Sequence, residues 1–331
     1  GIATIKGTAN DTGSEISNVE IAIEDYAAGK YYNGSDAFDV DYATNALITT
    51  TATNPPFDNN TEQWEYDASS VCFEDGKEYR VFSRATNAAS LYQSTSTWDS
   101  ARFTYDIIHP TSAVTMPENN KIYKSMDTIS GTAIDESQGT PSGLIASKIE
   151  ICIENEDGWF WNFSSPGAFN EPDEVWQSVY SYESGTKDWE IDTTTITWST
   201  GVTYYVKSKA TDEAGNIENN NVIISSSTFM YDKDKPSSVI QEPSDNNVIA
   251  SLNPDVKGTA TDTPSENLEQ VEAVIKQLGQ GYWNGTNFTG GIEWRVVSTT
   301  NSYACWFATA SWTDGGDYNI WVRAKDKADN Y

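Results

Sequence analysis

The sequence predicts an all-β protein made of three tandem β-sandwiches arranged end to end. Three observations carry that expectation. The chain repeats itself with a period of about 125 residues, each repeat holds short runs of alternating apolar and polar residues, and no convincing stretch of helical period 3.6 occurs. The chain is 331 residues long, which at about 100–200 residues per domain leaves room for two or three separate cores.

The repeat is read block by block. Gly7-Thr8-Ala9 recurs as Gly131-Thr132-Ala133 and Gly258-Thr259-Ala260, each followed by a polar turn bearing Asp11, Asp135 or Asp262. An alternating strand comes next: Val19–Ile23, Ile149–Ile153 and Val271–Ile275. Then comes an aromatic turn: Lys30-Tyr31-Tyr32-Asn33, Trp159-Phe160-Trp161-Asn162 and Tyr282-Trp283-Asn284. Later, Tyr79-Arg80-Val81, Tyr204-Tyr205-Val206 and Tyr318-Asn319-Ile320 lead into Arg84-Ala85-Thr86-Asn87, Lys209-Ala210-Thr211-Asp212 and Arg323-Ala324-Lys325-Asp326. The junctions repeat too. Phe103-Thr104-Tyr105-Asp106 leads to Pro110 and Pro117, and Phe229-Met230-Tyr231-Asp232 leads to Pro236 and Pro243, at a constant offset of 126 residues. The expected units are therefore 1–106, 107–231 and 232–331, with borders in the proline-bearing junctions.

Within a unit the runs are rich in Val, Ile, Thr, Tyr and Trp and are separated by Gly, Asn, Asp and Ser. Residues 147–153, Ser-Lys-Ile-Glu-Ile-Cys-Ile, are apolar at every second place. That period turns one face to a core and the other to water, and a half-apolar sheet must cover its apolar face with a second sheet. About seven short strands in 100–125 residues fit an immunoglobulin-like sandwich. A propeller fits less well, because its blades run about 40–50 residues. Trp64, Trp189 and Trp306 fall at similar places, as do Phe73, Trp198 and Trp312, and they read as core plugs. Cys72, Cys152 and Cys305 are one to a unit, so no unit makes an internal disulfide, and buried free thiols are expected. Unit one lacks the first strand seen in the others, and unit three lacks the last. Two origins are open: a cut from a longer tandem chain, which is favoured, or a strand supplied by the next unit or a neighbour.

Composition narrows the function. Acidic residues number 49 against 20 basic ones, a formal net charge of −29. Such a chain repels phosphate backbones and anionic bilayers, so neither nucleic acid nor membrane insertion is expected of this segment. No stretch approaches about 18 consecutive apolar residues. The single histidine, His109, precedes Pro110 in a junction and has no nucleophile elbow beside it. No zinc spacing or phosphate loop occurs, so no enzyme is expected and no catalytic residue is named.

The Gly-Thr-Ala-x-Asp block, the alternating strand, the aromatic turn, and Ala210-Thr211-Asp212-Glu213-Ala214-Gly215-Asn216 resemble the tandem bacterial Ig-like repeats of large extracellular surface and adhesin-type proteins. Unit three carries the last motif as Ala324-Lys325-Asp326-Lys327-Ala328-Asp329-Asn330; unit one has drifted to Ala85-Thr86-Asn87. The resemblance implies an extracellular or cell-surface stalk, filament, adhesin or spacer, continuing end to end with further repeats or neighbouring copies.

Two kinds of site follow. In an Ig-like sandwich the loop after the second strand and the loop before the last strand share the end that receives the preceding linker. Unit two would gather Asp106, Asp135 and Asp212 there; unit three would gather Asp232, Asp234, Asp262 and Asp326. Calcium, which takes six to eight oxygen ligands, is the cofactor such clusters suit; the competing reading is that Asp and Asn serve only as turn formers. The alternative function is an adhesin or carbohydrate-binding module with a surface glycan as partner, using Tyr32, Trp159, Trp161 and Trp283 as exposed aromatic contacts. Six Asn-x-Ser/Thr sequons, at Asn10, Asn33, Asn59, Asn162, Asn284 and Asn287, would mark surface turns.

Overall fold

The structure is a computed structural model that describes residues 3–136, 139–164, 166–218, 225–250, 254–264, 267–299 and 301–331. It is all-β, with antiparallel pairing dominant and only short 3-10 turns such as Ala146–Lys148 between strands. In unit one, Thr4–Asn10 and Thr61–Asp67 form one sheet; Ile16–Asp25, Lys77–Asn87 and Asp99–Tyr105 are the main strands of the other. In unit two, Thr111–Met116, Thr128–Ile134 and Asp188–Asp192 face a sheet built on Ile149–Asn155, Val202–Ala210 and Ser226–Tyr231. In unit three, Ser237–Glu242, Val256–Thr261 and Trp306–Ala308 face Leu268–Gln277 and Tyr318–Asp326.

The alternation in sequence becomes the inward face. Ile149, Ile151 and Ile153 are fully buried, as are Ile21 and Ile23. The buried apolar residues fall into three clusters, each drawn from one repeat and from both of its sheets. Trp64, Trp189 and Trp306 sit in these clusters and explain the repeated glycine opposite them. Gly7 pairs with Trp64, Gly131 with Trp189 and Gly258 with Trp306 across the sheet. A methyl group added at any of the three glycines would collide with that indole, and at Gly131 and Gly258 also with the carbonyl of Ala113 or Val239. The ring thus lies over bare backbone.

A second device recurs. The hydroxyl of Tyr79 accepts the N–H of Glu74, that of Tyr204 the N–H of Ser199, and that of Tyr318 the N–H of Thr313, at 2.8–2.9 Å. Each tyrosine reaches five residues upstream. This corner ties the inter-strand loop to the start of the long strand, as in immunoglobulin-like sandwiches.

The thiols correct one expectation. Cys152 is buried on its strand, and burial pushes its thiol up to about 12. Cys72 and Cys305 are exposed and lie in turns just outside the strands, where no core reaches them.

Gly131→Ala is expected to destabilise unit two by about 1–3 kcal/mol through overpacking. Gly185→Ala, where nothing lies within 4 Å of the new methyl, should stay within about 0.5 kcal/mol of the parent. Denaturant or thermal unfolding of the two variants reads the difference; equal stabilities would refute the tryptophan-on-glycine contact.

Candidate metal centres

Each acidic cluster is assembled from three strand ends. Asp106 directly follows Asp99–Tyr105, Asp135 directly follows Thr128–Ile134, and Asp212 lies two residues beyond Val202–Ala210. One carboxylate oxygen from each lies within 4.8 Å of the other two. Asp232, Asp262 and Asp326 repeat this in unit three, again within 4.8 Å: Asp232 after Ser226–Tyr231, Asp262 after Val256–Thr261, and Asp326 closing Tyr318–Asp326. Extended strands reach the same end of a sandwich, so their terminal residues converge although the two triads span 106 and 94 residues of sequence. One aspartate of each triad, Asp106 or Asp232, belongs to the strand that completes the preceding unit.

The triads are withdrawn from water. Asp212, Asp232 and Asp326 have no exposed surface and Asp135 keeps 8%. Backbone and amide donors satisfy part of each set. Asp106 accepts the N–H groups of Ile108 and Ser142, and Asp135 accepts that of Gly143 at 2.6 Å. Asp212 accepts both the backbone N–H and the side-chain amide of Asn216, whose amide also reaches the Asp106 carbonyl at 3.0 Å. Asn330 makes the same three bonds to Asp326 and the Asp232 carbonyl, and the Asn267 amide reaches Asp232 at 2.7 Å.

What remains is unpaired oxygen. Among the described residues, Oδ1 of Asp135 and both carboxylate oxygens of Asp262 are buried with no hydrogen-bond partner. Burial raises the carboxyl of Asp135, and repulsion from Asp106 and Asp212 adds to it against the Gly143 bond. Burial likewise raises Asp232 and Asp262, with the neighbouring aspartates adding to it. Native proteins rarely leave such oxygens orphaned without an ion or a function. Oxygens held 2.3–2.6 Å from one calcium ion sit at most about 5 Å apart, which these do, and an all-oxygen donor set is the hard type that calcium takes.

Asp234 does not join its predicted cluster. It is exposed, and only its N–H takes part, donating to Oδ1 of Asp232 at 3.1 Å. The three asparagines, Asn216, Asn330 and Asn267, are members that sequence reading passed over, although two close the Asp-x-Ala-x-Asn motif. Among the described residues, unit one has no triad. There the Asn87 amide donates to Asp11 at 2.9 Å, a neutral donor where the other units place a carboxylate. The Gly13 N–H and then this amide hold Asp11 below the usual carboxylate range.

The aromatic turns are a correction. Tyr32 and Trp161 are buried core residues, and Trp283 is half-buried against the third core. Each packs on a phenylalanine a few residues further along, Phe38, Phe169 or Phe288, with ring centroids 5.1–5.4 Å apart. The turn strands pair with the long central strands, and this pairing draws their last aromatic inward. Of the four, only Trp159, at 43%, is exposed.

No family model matches the chain, and no curated protein matches it. Among solved structures it is similar to that of a 1.5-MDa bacterial ice-binding adhesin, at 12% identity over 99% of this chain and 87% of that one, with a TM-score of 0.33. It is also similar to the chicken CNTN1 FN1–FN3 domains, at 12% identity over 98% and 93%, TM-score 0.34. A third is the fibronectin(III)-like modules of Clostridium thermocellum CbhA, at 13% identity over 70% and 86%, TM-score 0.31. At this level the sandwich assignment rests on the sheets and cores described above.

Trp161→Ala should cost about 3–5 kcal/mol of stability as a large core deletion, whereas Trp159→Ala should change it by less than about 0.5 kcal/mol. Chemical denaturation of both variants checks this, and a Trp161→Ala protein as stable as the parent would return that ring to the surface.

Proposed function

We propose that this chain is a structural segment of a long extracellular filament, stalk or surface protein, and that calcium locks its unit junctions. The observation that supports this reading is the composition of each acidic triad: one carboxylate from the strand completing one unit, two from loops of the next. A cation bound there ties consecutive sandwiches together at the point where a linker would otherwise bend.

The junctions already hold direct contacts for such a bond to reinforce. The Thr140 N–H donates to the Gly76 carbonyl at 2.9 Å, and the Ile107 N–H to Asp75 at 3.0 Å. Nδ1 of His109 lies 2.6 Å from the Ile217 carbonyl, a contact that ties the first linker to unit two. At the second junction Lys124 donates to the Asp329 carbonyl at 2.9 Å. A net charge of −29 keeps neighbouring rods apart. No enzyme activity is part of this reading. Of the four turn aromatics expected to contact a glycan, one, Trp159, is exposed.

Three carboxylates, with water or carbonyls completing the shell, satisfy calcium. Calcium at 100 times its dissociation constant should stabilise the folded chain by about 2.7 kcal/mol per site. Thermal unfolding is expected to show higher midpoints in calcium than in chelator. The double variant Asp135→Asn with Asp262→Asn should be as stable as the parent or more so in chelator, because each change removes a crowded charge, yet gain nothing from calcium. Small-angle scattering in calcium should show an elongated particle one sandwich wide. Equal parent midpoints in the two buffers would discard the metal, and a compact scattering particle would discard the rod.

A further inference from the structure

One set of side chains recurs on the outer face of each sandwich and serves neither core nor junction. Glu20, Glu150 and Glu272 each stand between two core residues of their strand, so strand alternation turns them to the opposite face. Each faces a cation across the sheet: Arg84, Lys209 and Arg323 in turn. All three pairs are ion pairs, Lys209 to Glu150 at 3.2 Å and Arg323 to Glu272 at 2.7 Å. An indole lies over each cation. The ring centre of Trp98 is 5.8 Å from Arg84, that of Trp176 4.1 Å from Lys209, and that of Trp294 4.3 Å from Arg323.

The indole reaches this place by two routes. Trp176 and Trp294 immediately precede the short strands Gln177–Ser178 and Arg295–Val296, which pair on the glutamate strand. In unit one the matching strand is Ile48–Thr49, and Leu47 precedes it. There the ring comes from Trp98, ahead of Asp99–Tyr105, which pairs on the other side of the sheet. Descent alone does not carry a ring from one side of a sheet to the other, so the combination of carboxylate, cation and indole is itself what recurs. The three indoles are half-buried. Unit one extends the set along its strand. Arg80 pairs with Glu24 at 2.7 Å and Arg102 with Glu78 at 2.6 Å, and Tyr26 lies 3.7 Å from the Arg102 guanidinium. Tyr26 is 40% exposed, and Tyr92, over Arg84, is 67% exposed. From Glu78 to Arg84 an extended strand covers about 20 Å, the reach of a short oligosaccharide.

Charge decides what such a face takes. Each carboxylate–cation pair is neutral as a unit, and the chain around it carries −29, so a polyanion is repelled. A cationic ligand would find the rings already claimed by the protein's own cations. A neutral sugar matches instead. Its C–H face stacks on an aromatic ring, and its hydroxyls donate to the carboxylate and accept from the cation beside it. We infer that these outer faces bind a neutral polysaccharide, one shallow subsite per unit at Trp98, Trp176 and Trp294, with the unit-one subsite lengthened by Tyr26 and Tyr92. A flat sheet face suits a flat β-1,4-linked chain. Weak subsites repeated along one polypeptide gain by effective concentration, so a polymer is held where a single sugar is not. The inference goes beyond the structural-segment reading: a stalk built this way grips polymer along its length. Calcium takes no part in it.

The test is affinity electrophoresis of the full chain, in chelator, through native gels containing hydroxyethylcellulose, glucomannan or galactomannan, with alginate as the anionic control. At least one neutral polymer should retard the parent, and alginate should not. Trp98→Ala should weaken retardation by about fivefold, the loss of one stacked ring. The triple variant Trp98→Ala, Trp176→Ala, Trp294→Ala should migrate as it does in an empty gel, whereas Trp159→Ala, which removes an exposed ring outside the set, should bind as the parent does. A second triple variant, Glu20→Gln, Glu150→Gln, Glu272→Gln, keeps every ring in place and should also bind more weakly, so a folding defect in the tryptophan variant cannot carry the result alone. Thermal unfolding of each variant reads its fold. No retardation by any of the three neutral polymers overturns the inference, and so does undiminished retardation of the tryptophan triple variant. Stronger retardation by alginate overturns the neutral ligand, and a parent that sediments as a dimer through this face gives it to a second copy. Because calcium is absent throughout, failure here leaves the metal reading untouched, and failure of the metal reading leaves this one standing.

Discussion

Three like charges held out of water set the terms for each junction. At an effective dielectric near 20, two carboxylates 4.8 Å apart repel by about 3–4 kcal/mol. Three such pairs approach the whole stability of a typical domain, about 5–15 kcal/mol. Protons or a cation must balance that repulsion. Asn216 and Asn330 offset part of it with two donors each, but the orphaned oxygens of Asp135 and Asp262 lie beyond their reach. Unit one shows the cheap alternative. With Asn87 in place of an aspartate, its amide and the Gly13 N–H satisfy Asp11 and no crowding arises.

The sheets make this clustering reproducible. Tryptophan packed on bare glycine fixes the distance between the Gly-Thr-Ala strand and its neighbour, and the aspartate that follows this strand inherits the placement. The tyrosine corner fixes the start of the strand that carries Asp212 or Asp326 at its far end. Packing interactions far from the carboxylates thus set the oxygen positions, in the way that rigid elements preorganise a site.

Much of the site was legible because homologous blocks repeat and because alternation locates strand ends. Asp106, Asp135, Asp212, Asp232, Asp262 and Asp326 all sit within two residues of a strand end. Asp234 misled because sequence proximity to Asp232 says nothing about direction; the chain turns, and only its N–H faces the cluster. The buried turn aromatics misled for a different reason. Phe160 and Trp161 are consecutive and both buried, at a place where the pairing register shifts, so period-two alternation fails there. Cys72 and Cys305 are exposed because each falls outside a strand: Thr61–Asp67 ends before Cys72 and Trp306–Ala308 begins after Cys305, boundaries that composition does not mark.

In units one and two the last strand joins core and cluster into one covalent device. Residues Phe103 to Asp106 close the core of unit one with the phenylalanine and offer unit two a carboxylate with the aspartate; Phe229 to Asp232 do the same one unit on. A unit whose last strand is out of place therefore also withdraws a carboxylate from the next cluster. Stability in such an array becomes a sum of unit terms and nearest-neighbour terms, and here the neighbour term depends on whether the preceding unit has finished folding. The same segment seals one sandwich and anchors the next, so neither its aromatic nor its acidic residue could be moved along the strand without losing one of the two roles.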